Sequence, residues 1–290
     1  MTIARVQLPF RRLVVPRVID WLSLVAVFVL ALVPRLHLYA LVPDPSETAD
    51  ELAYIWAGLT LLTEHFPTSW SWKAAYGESP IYLGIRVVSP WLDHPPLYAL
   101  IVGALTWLAG ARDFLFAPIW PARLLAALLS SLTASLLLLL GRAWAGRSVG
   151  LVAGVVFALV PTFVLSGRLA LAESLLAPLG VGVLLLALRI GHPSPSTASG
   201  RGGEGVRAMT FLCLLCFLAV LAKLPGLMVA VSAGVLLASR GRWRAALAAV
   251  ASGLAGLAAF VLYGAAIDWT LFRQVFADQS SRATGLDAIP

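Results

Sequence analysis

The chain has 290 residues, 60% of them hydrophobic and only 12% charged, with a formal charge of +7. A mean hydropathy of +0.90 excludes an ordinary water-soluble domain, so the question is one of spans and sidedness. The basic excess reads as arginine-rich cytoplasmic loops in a lipid bilayer, and no nucleic-acid partner is expected.

Arg5, Arg11, Arg12 and Arg17 precede an apolar run from Trp21 to Val33. No small-x-small cleavage site follows, so the run reads as an uncleaved first span with a cytoplasmic N-terminus. The expected fold is an all-α polytopic membrane protein, one domain over residues 1–290 with about seven transmembrane helices. The expected spans are Val18–Leu41, Trp120–Leu140, Ser148–Ser166, Leu169–Leu188, Ala208–Ala222, Leu224–Ser239 and Ala245–Ile267. This order puts Arg142, Arg147, the flexible loop 191–207, Arg240, Arg242 and Arg244 inside, as the positive-inside rule requires. A long first loop, 42–119, and the segment 268–290 fall outside. Trp21, Trp120, Trp144, Trp243 and Trp269 stand at span ends, where aromatic belts form.

Leu97–Ala109 is apolar but only about 20 Å long as a helix, against a bilayer core of about 30 Å. A crossing there would also flip every later arginine cluster outward, so it reads as an interfacial or shallow re-entrant helix. Cys213 and Cys216 lie one turn apart in an apolar run and read as small buried hydrophobes rather than a redox pair.

In the outer loop, Thr48-Ala49-Asp50-Glu51-Leu52-Ala53-Tyr54-Ile55-Trp56 opens an amphipathic helix at the membrane surface, with Leu52, Ile55, Trp56, Leu59 and Leu62 on one face. Thr48 and Glu51 fit a capping box, and Asp50 suits the positive helix end. Both acids can be caps; Asp50 can also be chemical. Asp93-His94-Pro95-Pro96 precedes the short helix, either as a plain helix boundary or as polar groups held at the surface. Glu173 sits about one turn into the fourth span near Arg168, where an acid pairs or faces an aqueous cavity. Lys223, one of two lysines against nineteen arginines, lies at the next outer turn, either snorkelling to water or drawn into a site. Asp50, Glu173 and Lys223 thus share one side, a set that suits a ligand with a lipid tail and an anionic head.

The ordered motifs are D-E at Asp50-Glu51, P-P-L at Pro95–Leu97, Ala122-Arg123-Leu124, R-x-x-x-x-E at Arg168–Glu173 and K-x-P-G at Lys223–Gly226. In this order the chain resembles the GT-C membrane glycosyltransferases, in the branch of protein mannosyltransferases and the aminoarabinose transferase. The resemblance implies transfer of a sugar, with inversion, from a polyprenyl-phosphate donor to a lipid, glycan or protein acceptor at an extracytoplasmic site. It implies catalytic roles for Asp50, as general base, and for Glu51 and Glu173. It implies substrate-binding roles for Lys223, Arg168, Arg123, His94, Asp93 and Arg282. No cofactor is expected; Asp50 and Glu173 could hold a divalent metal, but none is predicted. The expected location is the plasma membrane, in a bacterium. Relatives in that family carry more spans than these 290 residues hold, so the sequence reads as a fragment or a reduced member. A lipid-linked-sugar flippase and a non-catalytic membrane subunit are the alternative readings. Transporters place their polar groups near the midplane, whereas these charges gather at outer span ends.

Overall fold

The computed structural model describes residues 18–44, 47–82, 84–191 and 202–284. Arg5, Arg11, Arg12 and Arg17 lie outside the described residues, as does most of the linking segment after Gly191. Every apolar segment expected to span is helical, with shifted bounds. The first is α1 (Val18–Leu36), shorter than expected because residues 37–42 form turns. The segment between α1 and Trp120 carries α2 (Asp50–Thr63), β1 (Ser69–Trp70), a 3₁₀ turn at Ala74–Tyr76, β2 (Ile81–Tyr82), β3 (Ile85–Val88) and the short α3 (Pro96–Leu108). After it come α4 (Trp120–Ala145), α5 (Arg147–Leu159), α6 (Pro161–Ser166), α7 (Glu173–Gly191), α8 (Gly202–Ala222), α9 (Gly226–Ala238) and α10 (Trp243–Thr284). Among the described residues, four helices are long and apolar enough to cross a membrane: Trp120–Ala145, Glu173–Gly191, Gly205–Ala222 and Trp243–Ser280. The helices in α1, α3, α5 and α9 are apolar but shorter.

The expected span Ser148–Ser166 is broken. Val160 is extended (φ −64°, ψ 125°), and Pro161 starts α6. Proline disfavours a helical residue before it and is well placed at a helix start. The break strands carbonyls in an apolar setting, and Arg35 supplies them. Fully buried, its guanidinium donates to the carbonyls of Phe157 (2.9 Å), Ala158 (3.0 Å) and Phe163 (3.1 Å), to Ala31 (2.9 Å) and to the Ser130 hydroxyl (2.9 Å). Arg35 spreads its charge over a fork of donors, which suits this multiple capping.

Two further corrections concern the segment 42–119. The loop contains a small antiparallel sheet of order β1-β3-β2, with Ser69 opposite Val88 and Ile81 opposite Arg86, where only helices were expected. And α2 is not a surface helix with one apolar face. Residues Ala53 to Thr60 are all buried, between α3, the sheet and the α6–α7 connection. Its close crossing with α3 rests on Gly58 and Gly103, since a Cβ on either would overlap the backbone of the other helix. At the far end the chain breaks at the boundary expected between Ala245–Ile267 and the segment that follows. Asp268 (φ −159°, ψ 100°) interrupts α10, and its carboxylate caps the next turn by accepting from the Leu271 amide (2.9 Å). The final segment turns back, so that the Phe272 ring lies 5.2 Å from that of Phe260. In a straight helix these residues would stand about 18 Å apart. Phe260, Phe272 and Leu92 form one buried cluster, which ties this segment to the stretch before α3.

A larger cluster, Tyr54, Ile55, Trp91, Tyr98, Ala122 and Ala172 among its members, joins α2 and α3 to the starts of α4 and α7. Cys216 is buried and Cys213 half-buried among α7–α10, both as free thiols.

Candidate functional site

A cavity of about 310 Å³ opens above the larger cluster. Three stretches of the segment between α1 and α4 wall it: Asp50 to Tyr54 on α2, Trp70 to Lys73 at and after β1, and Trp91 to His94 before α3. Leu171 and Glu173 at the start of α7, Lys223 between α8 and α9, and Gln279 on the final segment complete it. Both lysines of the sequence therefore line one cavity.

The first turn of α2 aims Asp50 and Tyr54 at the cavity, because residues four apart share a helix face. Trp70 fixes that turn, its indole N–H donating to the Ala49 carbonyl (2.8 Å), while the Ser69 hydroxyl donates to the Ala53 carbonyl (2.7 Å). Asp50 is exposed and, among the described residues, makes no hydrogen bond or salt bridge. Residues 69–73 alternate, with Ser69, Ser71 and Lys73 buried and Trp72 60% exposed. This inverts the usual strand pattern of apolar inside and polar outside.

Asp93 anchors the second wall. Its carboxylate accepts from the Ser71 hydroxyl (2.9 Å) and the Tyr76 hydroxyl (2.7 Å), and faces the Lys73 ammonium at 3.4 Å. Tyr76 in turn accepts from the Leu92 amide (2.8 Å). Burial, then the Asp93 charge, pushes the Tyr76 phenol well above its ordinary range, so it remains a donor. His94 stacks on Tyr54 (centroids 5.4 Å apart) and meets Trp91 edge-on (5.6 Å). Burial first, then the Lys223 and Lys73 charges, pushes its pKa down to about 3, which leaves a neutral imidazole at physiological pH. Tyr54 is pushed up by burial and by Glu173, and also stays protonated. On the facing wall Glu173 and Lys223 form an ion pair.

The sequence reading thus gathers five of its residues in one place: Asp50, Asp93, His94, Glu173 and Lys223. Three others lie elsewhere. Glu51 is not a helix cap and does not face the cavity. The N-cap is Ala49, without a side-chain cap bond. About 100° around the helix from Asp50, Glu51 points into the protein and meets Arg123. Arg123 donates through Nη2 (2.6 Å) and Nε (2.9 Å) to separate Glu51 oxygens, and both side chains have 0% exposure. The Thr48 hydroxyl (2.5 Å) and the Ala170 amide (2.7 Å) fill the remaining lone pairs. Glu51 and Arg123 are both fully buried, bonded to each other, and absent from the cavity lining, so where they stand they position α2 and do not reach a ligand in that cavity. Arg168 does not pair with Glu173; it is buried and donates to the Pro34 carbonyl. Glu173 is the first residue of α7, not one turn inside it, because residues 167–172 form a turn. The Arg282 side chain lies outside the described residues.

Sequence reasoning missed Tyr54, Trp70, Ser71, Trp72, Lys73, Trp91 and Gln279. The one available signal was the rarity of lysine, which applies to Lys73 as much as to Lys223. Fold and site together define a helical protein with several helices able to cross a membrane and a charged, aromatic-walled cavity above one end of its bundle. The chain matches no family model, no curated protein and no solved structure.

Proposed function

We infer that the protein is a membrane glycosyltransferase of the GT-C kind, which moves a sugar from a polyprenyl-phosphate donor to an acceptor hydroxyl or amine with inversion. The observation that carries this reading is the Asp50 carboxylate. It is unpaired among the described residues and shares one cavity with both lysines of the chain. An acceptor must lose a proton as it attacks the anomeric carbon, and an unpaired carboxylate can accept it. The bond from the anomeric carbon to the phosphate oxygen breaks as the new glycosidic bond forms, and the electron pair leaves with the lipid phosphate. Lysine, a compact ammonium, neutralises that charge as it develops. Neutral His94 and protonated Tyr54 add hydrogen-bonding groups without charge, and the tryptophans offer flat apolar faces to a sugar ring. In this reading the N-terminus is cytoplasmic and the cavity opens on the opposite side of a bacterial plasma membrane. The rule that inner loops carry the arginines supports that sidedness. The lipid tail of the donor lies in the bilayer beside the helices.

Transfer of radiolabelled sugar tests the proposal. Membranes containing the protein, given a polyprenyl-phosphate sugar, should move label to an endogenous acceptor above the level of membranes lacking it. No gain in label with any of a panel of such donors would refute it.

A further inference from the structure

The formal charges around the cavity do not favour an anionic ligand as they stand. Asp50, Asp93 and Glu173 face Lys73 and Lys223, and His94 is neutral. The two cations are already engaged, Lys73 with Asp93 and Lys223 with Glu173. Any phosphate entering this cavity meets a net negative wall unless one of those pairs opens.

The two pairs are unlike. Asp93 is 12% exposed and Lys73 only 6%, and Asp93 is also held by Ser71 and Tyr76. Glu173 is 57% exposed, its partner Lys223 is 22% exposed, and Lys223 is the only hydrogen-bond or ion-pair partner of Glu173 among the described residues. Ion pairs open to solvent are weak, whereas charge-assisted bonds from ammonium to phosphate are strong. Glu173 sits at the start of α7 and can turn its side chain to water without disturbing the fold.

We propose that Glu173 is an exchangeable occupant of the phosphate position: the lipid phosphate displaces it from Lys223, and the displaced carboxylate turns out to water. This rests on the glycosyl-transfer reading of the cavity and adds a regulating contact to it. Before binding, Lys223 is held in a neutral pair; arrival of the anionic head fills Lys223 and releases Glu173 to solvent. Binding of the anion and the Glu173–Lys223 contact are mutually exclusive, so each weakens the other by the same factor.

The experiment is a binding cycle on the full chain in lipid nanodiscs, with farnesyl phosphate as probe and inorganic phosphate in a parallel arm. Glu173→Gln should bind farnesyl phosphate about tenfold tighter than the native protein, a typical coupling. In the Lys223→Ala background the same substitution should gain less than about twofold, since the contact to be displaced is gone. A far weaker response to inorganic phosphate assigns the position to a lipid headgroup; equal affinities assign it to phosphate itself. Unchanged or weaker binding by Glu173→Gln overturns the exchange, as does a gain that persists without Lys223, because that gain would reflect net charge alone. Sugar transfer is scored separately. Tightening without any transfer leaves the exchange standing and removes the glycosyl-transfer reading; transfer without tightening does the reverse. Glu173→Gln is isosteric and exposed, and an unchanged melting midpoint certifies the fold.

Discussion

Arg123→Ala is expected to destabilise the protein by about 3–5 kcal/mol, the cost of removing one partner from a buried ion pair. The pair is fully sealed, and Glu51 would keep a charge with no cation to answer it. Its loss also disconnects three parts of the chain. Glu51 belongs to α2, Arg123 to the first turn of α4, and the Ala170 amide that bonds Glu51 leads into α7. The first turn of α2, and Asp50 with it, is thereby fixed against the helices below. Denaturant-induced unfolding in detergent micelles should show the shift in midpoint. The double substitution Glu51→Gln, Arg123→Met should recover much of the loss, because no uncompensated charge remains. A midpoint unmoved by Arg123→Ala would show that α2 is held by its apolar contacts alone.

Asp50→Asn is expected to behave in the opposite way. Asparagine keeps the shape and can still suit the helix start, but it cannot take a proton at neutral pH. Sugar transfer should fall by about 100- to 10,000-fold, the usual contribution of a positioned base. Unfolding should not move, since Asp50 makes no hydrogen bond or salt bridge among the described residues. Transfer rates of the purified variant, measured at saturating donor, decide the matter. Full activity would remove Asp50 as the base. With the expected loss of transfer, the adjacent acids of one D-E pair differ as the geometry says, Glu51 acting through stability and Asp50 through rate.

The apolar segments were legible because a run of hydrophobic side chains of that length has few alternatives to a helix, and each is helical, although Ser148–Ser166 is split at Val160 into α5 and α6. The start of α2 at Asp50 was legible from the same pattern, as was the shortness of α3. The partners of the charges were less so. Thr48 and Glu51 have capping-box spacing, but the group that claims Glu51 is Arg123, seventy-two residues away, and local spacing cannot report a contact at that distance. Arg168 stood near Glu173 in sequence, yet the turn at residues 167–172 points them apart, one to the Pro34 carbonyl and one to Lys223. The break at Val160-Pro161 follows from proline chemistry, but its cost is met by Arg35 from another helix. Lys73 escaped notice because it lies in a segment whose polar residues point inward and whose Trp72 points outward. What converged was a set of acids and cations at one end of the bundle, Asp50, Asp93, Glu173 and Lys223 among them, since charges kept out of an apolar layer have few places to go.

The central claim is that this cavity, and no other surface of the protein, holds a lipid-linked sugar. Photolabelling tests it most directly, with a polyprenyl-phosphate sugar carrying a diazirine on the sugar ring and adducts located by mass spectrometry. The account predicts adducts within Asp50–Tyr54, Trp70–Lys73 and Trp91–His94, all abolished by excess unlabelled donor. Competed adducts confined to the outward faces of α5 and α9, with none on those three stretches, would contradict it.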